Sequence, residues 1–165
     1  MPTLLRVSSL ALFLLPSLAC GPSRVSDEEA NRLLVRQMFA AIDSVDAFRM
    51  RRLMSPDIVI HFGTETLGVD EIVEVVQSYY KAFPTNRHEV DQIMVDGDMV
   101  AVRAVLHGSH ERSYRGFEAT GVQVTIPAMH FARIEDGRFV EWWATHDNLA
   151  MFEQIGLQLP PRDDP

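Results

Sequence analysis

Apolar and polar positions along this chain change period partway through. Leu33, Leu34, Met38, Ala41 and Ile42 recur at spacings of three and four, so the first stretch is a helix with one buried face. Ser26, followed three residues later by Glu29, has the form of a capping box, with Asp27 and Glu28 suited to the positive end of the helix dipole. A short helix over Ala47–Leu53 is ended by "MSPD". The β-branched run "DIVIHF" predicts a strand and "GTETLG" a connection. Ile72, Val73, Val76, Tyr79, Tyr80 and Phe83 then fall on one face of an amphipathic helix stopped by Pro84. From Arg87 the period becomes two. Strands are expected over residues 88–95, 99–109, 122–134 and 139–145, with Asp-Gly hairpin turns in "DGD" and "EDG" and a closing helix over 148–155.

Helices first and an antiparallel meander afterwards predict an α+β fold, a cone-shaped curved antiparallel sheet wrapped around N-terminal helices. A cone leaves a pocket between the concave face and the helices. With 165 residues the chain has room for one such domain, assigned to residues 27–158, with a tail over 159–165. The beginning has a different character. Arg6, an apolar run from Val7 to Leu15 and small residues ending at Cys20 have the layout of a secretory signal, and the run is too short for a stable bilayer span.

Cys20 is the only cysteine, so no intramolecular disulfide can form. Its place after Ser17, Leu18 and Ala19 resembles a bacterial lipoprotein cleavage site, with residues 21–26 as the tether. The expected product is an exported lipoprotein, held to the cell-envelope membrane by an N-terminal lipid. Without its leader it keeps 14 basic against 23 acidic residues. That balance disfavours nucleic acid, whose phosphates need basic neutralisation, and leaves a small apolar organic ligand or a protein as the partner.

Candidate chemistry concentrates in "VEWWATHDNL". Alternation divides this strand into a row of Trp143, Thr145 and Asp147 and a row of Trp142, Ala144 and His146, of which only one can face the pocket. The first row is the expected inner one, which assigns His146 to the opposite face. Asp147 beside Trp143 would be partly desolvated and suited to proton transfer. As the residue before "NLAMFEQIG" it equally suits a helix N-cap. His130 lies between Ala128 and Ala132 on its face, which leaves space for a ligand. His61 shares a face with Val59, opposite Ile58, Ile60 and Phe62, and is open to structural and catalytic readings. His107 is a candidate ligand contact, while His88 and His110 read as surface residues. No helical His pair and no second cysteine supports a metal site, and no Gly-x-Ser-x-Gly elbow supports a hydrolytic triad.

Three segments, "IVIHFGTETLGVDEIVEVVQSYYKAFP", "VDGDMVAVRAVLHGSH" and "HFARIEDGRFVEWWATHDNLAMFEQIGL", resemble the SnoaL-like polyketide cyclases, or ester cyclases, of the nuclear-transport-factor-2-like fold. The likeness extends from Glu28 to Leu157 and is most specific at Arg133, Asp136, Gly137, Glu141, Trp143, Asp147, Leu149 and Gly156. It implies that Asp147 is the general acid/base of an intramolecular aldol closure, that His61 shares its pocket, that no metal or organic cofactor takes part, and that copies pair through the sheet as homodimers or larger assemblies. The family's His-Asp-Pro is His61-Phe62-Gly63 here, so a second acidic group is absent from that position. Two functions follow as expectations. One is acid/base catalysis by Asp147 on a small carbonyl compound oriented by His61 and His130, with Trp143, Thr145, Tyr79, Tyr80, Phe83 and His107 as the walls. The other is a noncatalytic envelope lipoprotein that binds an apolar ligand or a protein. Exchange of Cys20→Ser is expected to abolish incorporation of labelled palmitate and move the protein from the membrane to the soluble fraction; unchanged labelling would refute the anchor.

Overall fold

The computed structural model describes residues 24–159, so the leader, Cys20 and most of the tail lie outside the described residues. Its elements run α1 (Arg24–Asp43), α2 (Ala47–Leu53), β1 (Met54–Phe62), β2 (Glu65–Leu67), α3 (Val69–Ala82), β3 (Arg87–Asp96), β4 (Met99–Ser109), β5 (Gln123–Glu135), β6 (Arg138–His146) and α4 (Asn148–Gln154). The architecture is α+β, with N-terminal helices against a single six-stranded sheet in the order β2-β1-β6-β5-β4-β3. Strands β3 to β6 form the expected antiparallel meander.

Four local features differ from the pattern-based expectation. Helix α1 already begins at Arg24, which places Ser26 inside the helix instead of at its N-cap. "GTETLG" contains β2, which turns back at Gly63 (φ 63°) and pairs Phe62 with Glu65. "MSPD" both ends α2 and opens β1, and Pro56 falls where the pairing register shifts between Met54 and Val59, a place where a missing N–H costs no ladder bond. The sheet is mixed, because β1 lies parallel to β6. All of α3 and the first three meander strands intervene between β1 and β6, and a connection of that length permits the parallel direction that a tight hairpin forbids.

Alternation along the strands separates two faces. On the inner face Ile60, Trp142, Ala132 and Val100 are buried, as are Val102 and His130 in the adjacent row. Val35, Met38 and Phe39 of α1 and Val73 of α3 pack against this side in the main core. A second cluster joins Ala82 and Phe83 to Leu106, Val124, Ile126, Met151 of α4 and Ile155, which caps that helix. The outer face leaves Met129 61% and Phe131 53% exposed.

His110 belongs to the interior despite its polar neighbours in sequence. It is fully buried, stacks on Phe83 with ring centroids 5.0 Å apart, and bonds Thr120 Oγ1 through Nδ1 at 3.1 Å. Its expected surface position is therefore corrected: the chain turns inward after β4, and His110 N–H donates to the Val122 carbonyl.

Phe139, at 0% exposure beside Trp142, anchors the main core where β6 begins. Phe139→Ala is expected to cost about 3–5 kcal/mol, read from the urea unfolding midpoint. A loss below about 1 kcal/mol would show that this end of the core carries little of the stability.

Candidate active site

Between the inner sheet face and helices α1 and α3 lies a cavity of about 370 Å³. That is within the range of small-molecule sites. Its walls are mainly apolar, with Met38, Phe39, Ile42, Ile60, Phe62, Ile72, Val76 and Met151, and its polar lining includes Tyr79, Tyr80, Asn86, His88, His130 and His146. Small residues on the sheet make the space. Ala128, Ala132 and Ala144 surround His130 in the ladder, with Ala144 directly opposite it on β6.

His88 is the first inward residue of β3, and behind it stands Asp43, the last residue of α1. Asp43 Oδ1 accepts from His88 Nδ1 at 2.6 Å and from Tyr80 Oη at 2.7 Å, while the His88 backbone N–H lies 3.0 and 3.1 Å from the two carboxylate oxygens. A carboxylate at the C-terminal end of a helix opposes the dipole, and no basic residue occupies the last turn of α1. Burial pushes the Asp43 carboxyl up, but the bonds and charge of His88, helped by Tyr80, outweigh it and hold it below the usual range. Burial raises the Tyr80 hydroxyl, reinforced by the Asp43 charge, so Tyr80 remains a donor. An ionised Asp43 accepts only, so whenever the His88 ring is neutral it carries its proton on Nδ1 and its lone pair on Nε2.

His130 has the opposite tautomer. Trp142 Nε1 donates to His130 Nδ1 at 3.2 Å, so the neutral ring bears its proton on Nε2, a buried atom with no partner among the described residues. Burial, with the nearby His146 and His88, holds the His130 pKa well below the usual value and keeps the ring neutral. His146, its ring 5.3 Å from His130, is pulled down to about 4 by burial and by His88. The His88 and His130 centroids are 6.5 Å apart, and the edge of Phe39 packs against both. Asn86, also buried in the wall, leaves both side-chain polar atoms unpartnered. His88, His130 and Asn86 thus stand in the wall of one apolar space, the latter two with buried polar atoms that lack a partner among the described residues. This set can take a proton from a ligand and hydrogen-bond the charge that develops.

The expected inner row of β6 is reversed. Trp142, Ala144 and His146 face the cavity, whereas Trp143 is on the outer side with Glu141. The reason is visible in the pairing: Arg133 and Glu141 are opposite one another and ion-paired at 3.5 Å, and a charged pair of that kind selects the solvent face for its whole row. His61 goes outward as well, stacked on Trp143 at 5.1 Å and bonded to Glu141 Oε1 at 3.1 Å, so it does not meet His130. His107 is also on the outer face, between Glu89 at 3.3 Å and Thr125 at 3.4 Å. Asp147 is exposed and caps α4, its carboxylate accepting from Ala150 N–H at 2.9 Å, and it is not among the cavity's lining residues.

Thr145 is exposed yet contributes to the lining. Tyr79 lines the cavity, with its hydroxyl 3.7 Å from Met151 sulfur, whereas Phe83 is wholly buried behind it in a stack at 4.6 Å. His130 is the one member of the expected catalytic set in the cavity wall. Asp43 and Asn86 were not singled out by local pattern, Tyr80 takes its expected place in the wall, and two expectations are corrected: His88 lies inside and not on the surface, and His146 lies on the cavity face and not opposite it. A carboxylate ending a helix with no cation nearby was the available sign for Asp43. Among the described residues no group of three His, Cys, Asp or Glu side chains is placed to hold a metal ion, and the bonds to Asp43 and from Trp142 already engage one nitrogen each of His88 and His130.

The architecture and its histidine-lined cavity define a nuclear-transport-factor-2-like cone with a ligand-sized interior. The profile of the SnoaL-like polyketide cyclases matches residues 32–155, and the chain belongs to that family. Among solved structures it is similar to wild-type IdmH, a proposed polyketide cyclase from Streptomyces antibioticus, at 30% identity over 76% of this chain and 98% of that one, with a TM-score of 0.71. AclR of Streptomyces galilaeus, a proposed hydroxylase, is 27% identical over 82% of this chain and 87% of its own, with a TM-score of 0.74. A SnoaL-like protein from Jannaschia sp. CCS1 shares the fold, with a TM-score of 0.75 at 24% identity over 86% of this chain and all of that one. No curated protein matches the chain significantly.

The neutral histidines make a prediction about acid stability. With a folded pKa of about 4 against 6.5 unfolded, His146 lets the unfolded chain bind more protons between those values. Stability should fall as pH drops from about 6.5 to about 4, by about 3 kcal/mol from His146 at 1.36 kcal/mol per unit, with His130 acting in the same direction and Asp43 adding its loss only below about pH 4. Urea midpoints across this range check the slope. His146→Asn should flatten it, and a midpoint indifferent to pH would contradict the buried neutral histidines.

Proposed function

We propose that the protein binds a small, largely apolar carbonyl compound in this cavity and catalyses cyclase-type acid/base chemistry on it. The observation that carries the reading is the pairing of an Asp43-oriented His88 with a buried, unpartnered His130 Nε2–H in one apolar cavity. His88 Nε2 takes a proton from the carbon beside the carbonyl, leaving the electron pair as an enolate. The enolate oxygen accepts a hydrogen bond from His130 Nε2–H, which donates as a neutral imidazole. The nucleophilic carbon then attacks a second carbonyl of the same molecule, and His88 returns its proton to the new alkoxide. Asp43 and Tyr80 are positioning residues in this scheme, because they act through His88. Family membership supports the ring-closing step, while the carbon skeleton of the ligand is left to the shape of the apolar wall.

The exported, lipidated state read from Cys20 belongs to the same proposal, as does pairing of two copies through the outer sheet face. There His61, Trp143, Phe131, Ala101 and Met94 follow one another across five strands. Exposed apolar side chains in that row provide burial for a second copy. A purely ligand-binding role differs in one respect, since it requires affinity without proton movement.

Proton movement is measurable with 2-tetralone, an apolar ketone with acidic α-hydrogens, by NMR in D2O. Wild-type protein should accelerate α-hydrogen exchange, His88→Gln should lose about a hundredfold or more of that rate, and Asp147→Ala should retain it. Full activity in His88→Gln with loss in Asp147→Ala would overturn the assignment. Binding without exchange by the wild type would favour the binding role.

A further inference from the structure

The wall of the apolar cavity carries charges that the acid/base scheme does not use. Apart from histidines, its wall holds, among the described residues, one cation, Arg115, and one carboxylate, Glu65 on the β1–β2 hairpin. Arg115 sits between β4 and β5 at the tip of a small hairpin in which Tyr114 and Phe117 exchange backbone bonds of 2.9 Å. Arg115 has φ 47° and Gly116 φ 89°, the pattern of a type I′ turn, in which Asn-Gly is the favoured pair. An arginine there accepts a left-handed backbone that its side chain disfavours, and such strain concentrates where a side chain is needed.

A second recess, about 420 Å³, adjoins the cavity and shares Val75, Tyr79, Tyr114 and Arg115 with it. Lys81 and Arg112 stand in its wall. Arg112 is tied to the end of α3 through its bond to the Lys81 carbonyl at 3.4 Å, which brings the loop's cations beside the lysine. Arg51, Arg103 and Arg133 each have a carboxylate within 4 Å, but among the described residues none lies that close to Lys81, Arg112 or Arg115. The nearby Glu111 is engaged by Ser109 Oγ at 2.7 Å. In a chain with net charge −8, three cations without acidic partners around one opening form a local positive site against the general field.

We infer that Arg115, backed by Lys81 and Arg112, binds an anionic substituent of the ligand at the cavity mouth, so that the ligand is an apolar molecule carrying a carboxylate. The planar guanidinium matches a carboxylate in two parallel hydrogen bonds, and Tyr114, its ring 5.8 Å from the Arg115 guanidinium carbon, steadies the fork. The net negative charge of the chain favours a monoanion over a phosphate dianion. The inference rests on the cavity being the ligand site. It adds that one end of the ligand is charged and is held at the Arg115 side.

The test is calorimetric titration of the full chain with 2-naphthylacetic acid and its methyl ester, using Arg115→Asn as the variant. Asn before Gly116 suits the turn, so this variant should melt at the same temperature as wild type or higher. The acid should bind wild type about tenfold more tightly than the ester at low salt, and Arg115→Asn should remove that advantage while leaving ester affinity unchanged. Equal binding of acid and ester by the wild type, or an acid preference that persists in Arg115→Asn, overturns the inference. Ester affinity reports the apolar cavity by itself, so in that event measurable ester binding leaves the cavity reading standing. Absence of binding by both probes overturns the mouth site and removes support for the cavity as well.

Discussion

The carboxylate of Asp43 ends α1 where the helix dipole repels it, and donors from two other elements hold it in place. Tyr80 reaches it from α3, and His88 reaches it from β3 through both ring and backbone. Three elements that meet nowhere in sequence are joined at this one group, and together they enclose the helical side of the cavity. The same bonds fix the chemistry. An acceptor-only carboxylate forces the proton of His88 to Nδ1, so position, tautomer and the availability of Nε2 follow from a single interaction.

The remainder of the cavity reinforces that arrangement through its mainly apolar lining. Burial makes ionisation of His130 and His146 unfavourable, so these two rings add no positive charge beside His88. Trp142 sets the other tautomer on His130, and a donor is left beside a base. Two identical side-chain types thereby acquire opposite roles from their partners. A polar ligand group that satisfies His130 Nε2 and the Asn86 amide would remove the cost of leaving those atoms unpaired.

Period and punctuation made most of the fold legible: the helices, the meander and its Asp-Gly turns all follow from local signals. The parallel placement of β1 beside β6 and the short β2 do not, because both depend on pairing across long sequence separation. The site was less legible for a related reason. Alternation correctly sorted "VEWWATHDNL" into two rows, but choosing between them required knowing that Glu141 faces Arg133. Glu141, Trp143 and Thr145 share parity, so the charge at Glu141 was a usable sign that this row faces outward. Asp43 and His88 are 45 residues apart, and nothing local to either announces the other. His130 could be singled out because its alanine neighbours signal space, which is a property of the strand itself.

The most direct measurement is long-range 1H–15N correlation NMR of the histidine rings at about pH 8, above the ordinary histidine titration range. His88 should appear as the tautomer with the proton on Nδ1, and His130 as the tautomer with the proton on Nε2, with Asp43→Asn perturbing the first and leaving the second. A proton on Nε2 of His88, or on Nδ1 of His130, would contradict the account, because the cavity would then lack the base or the donor on which its chemistry depends.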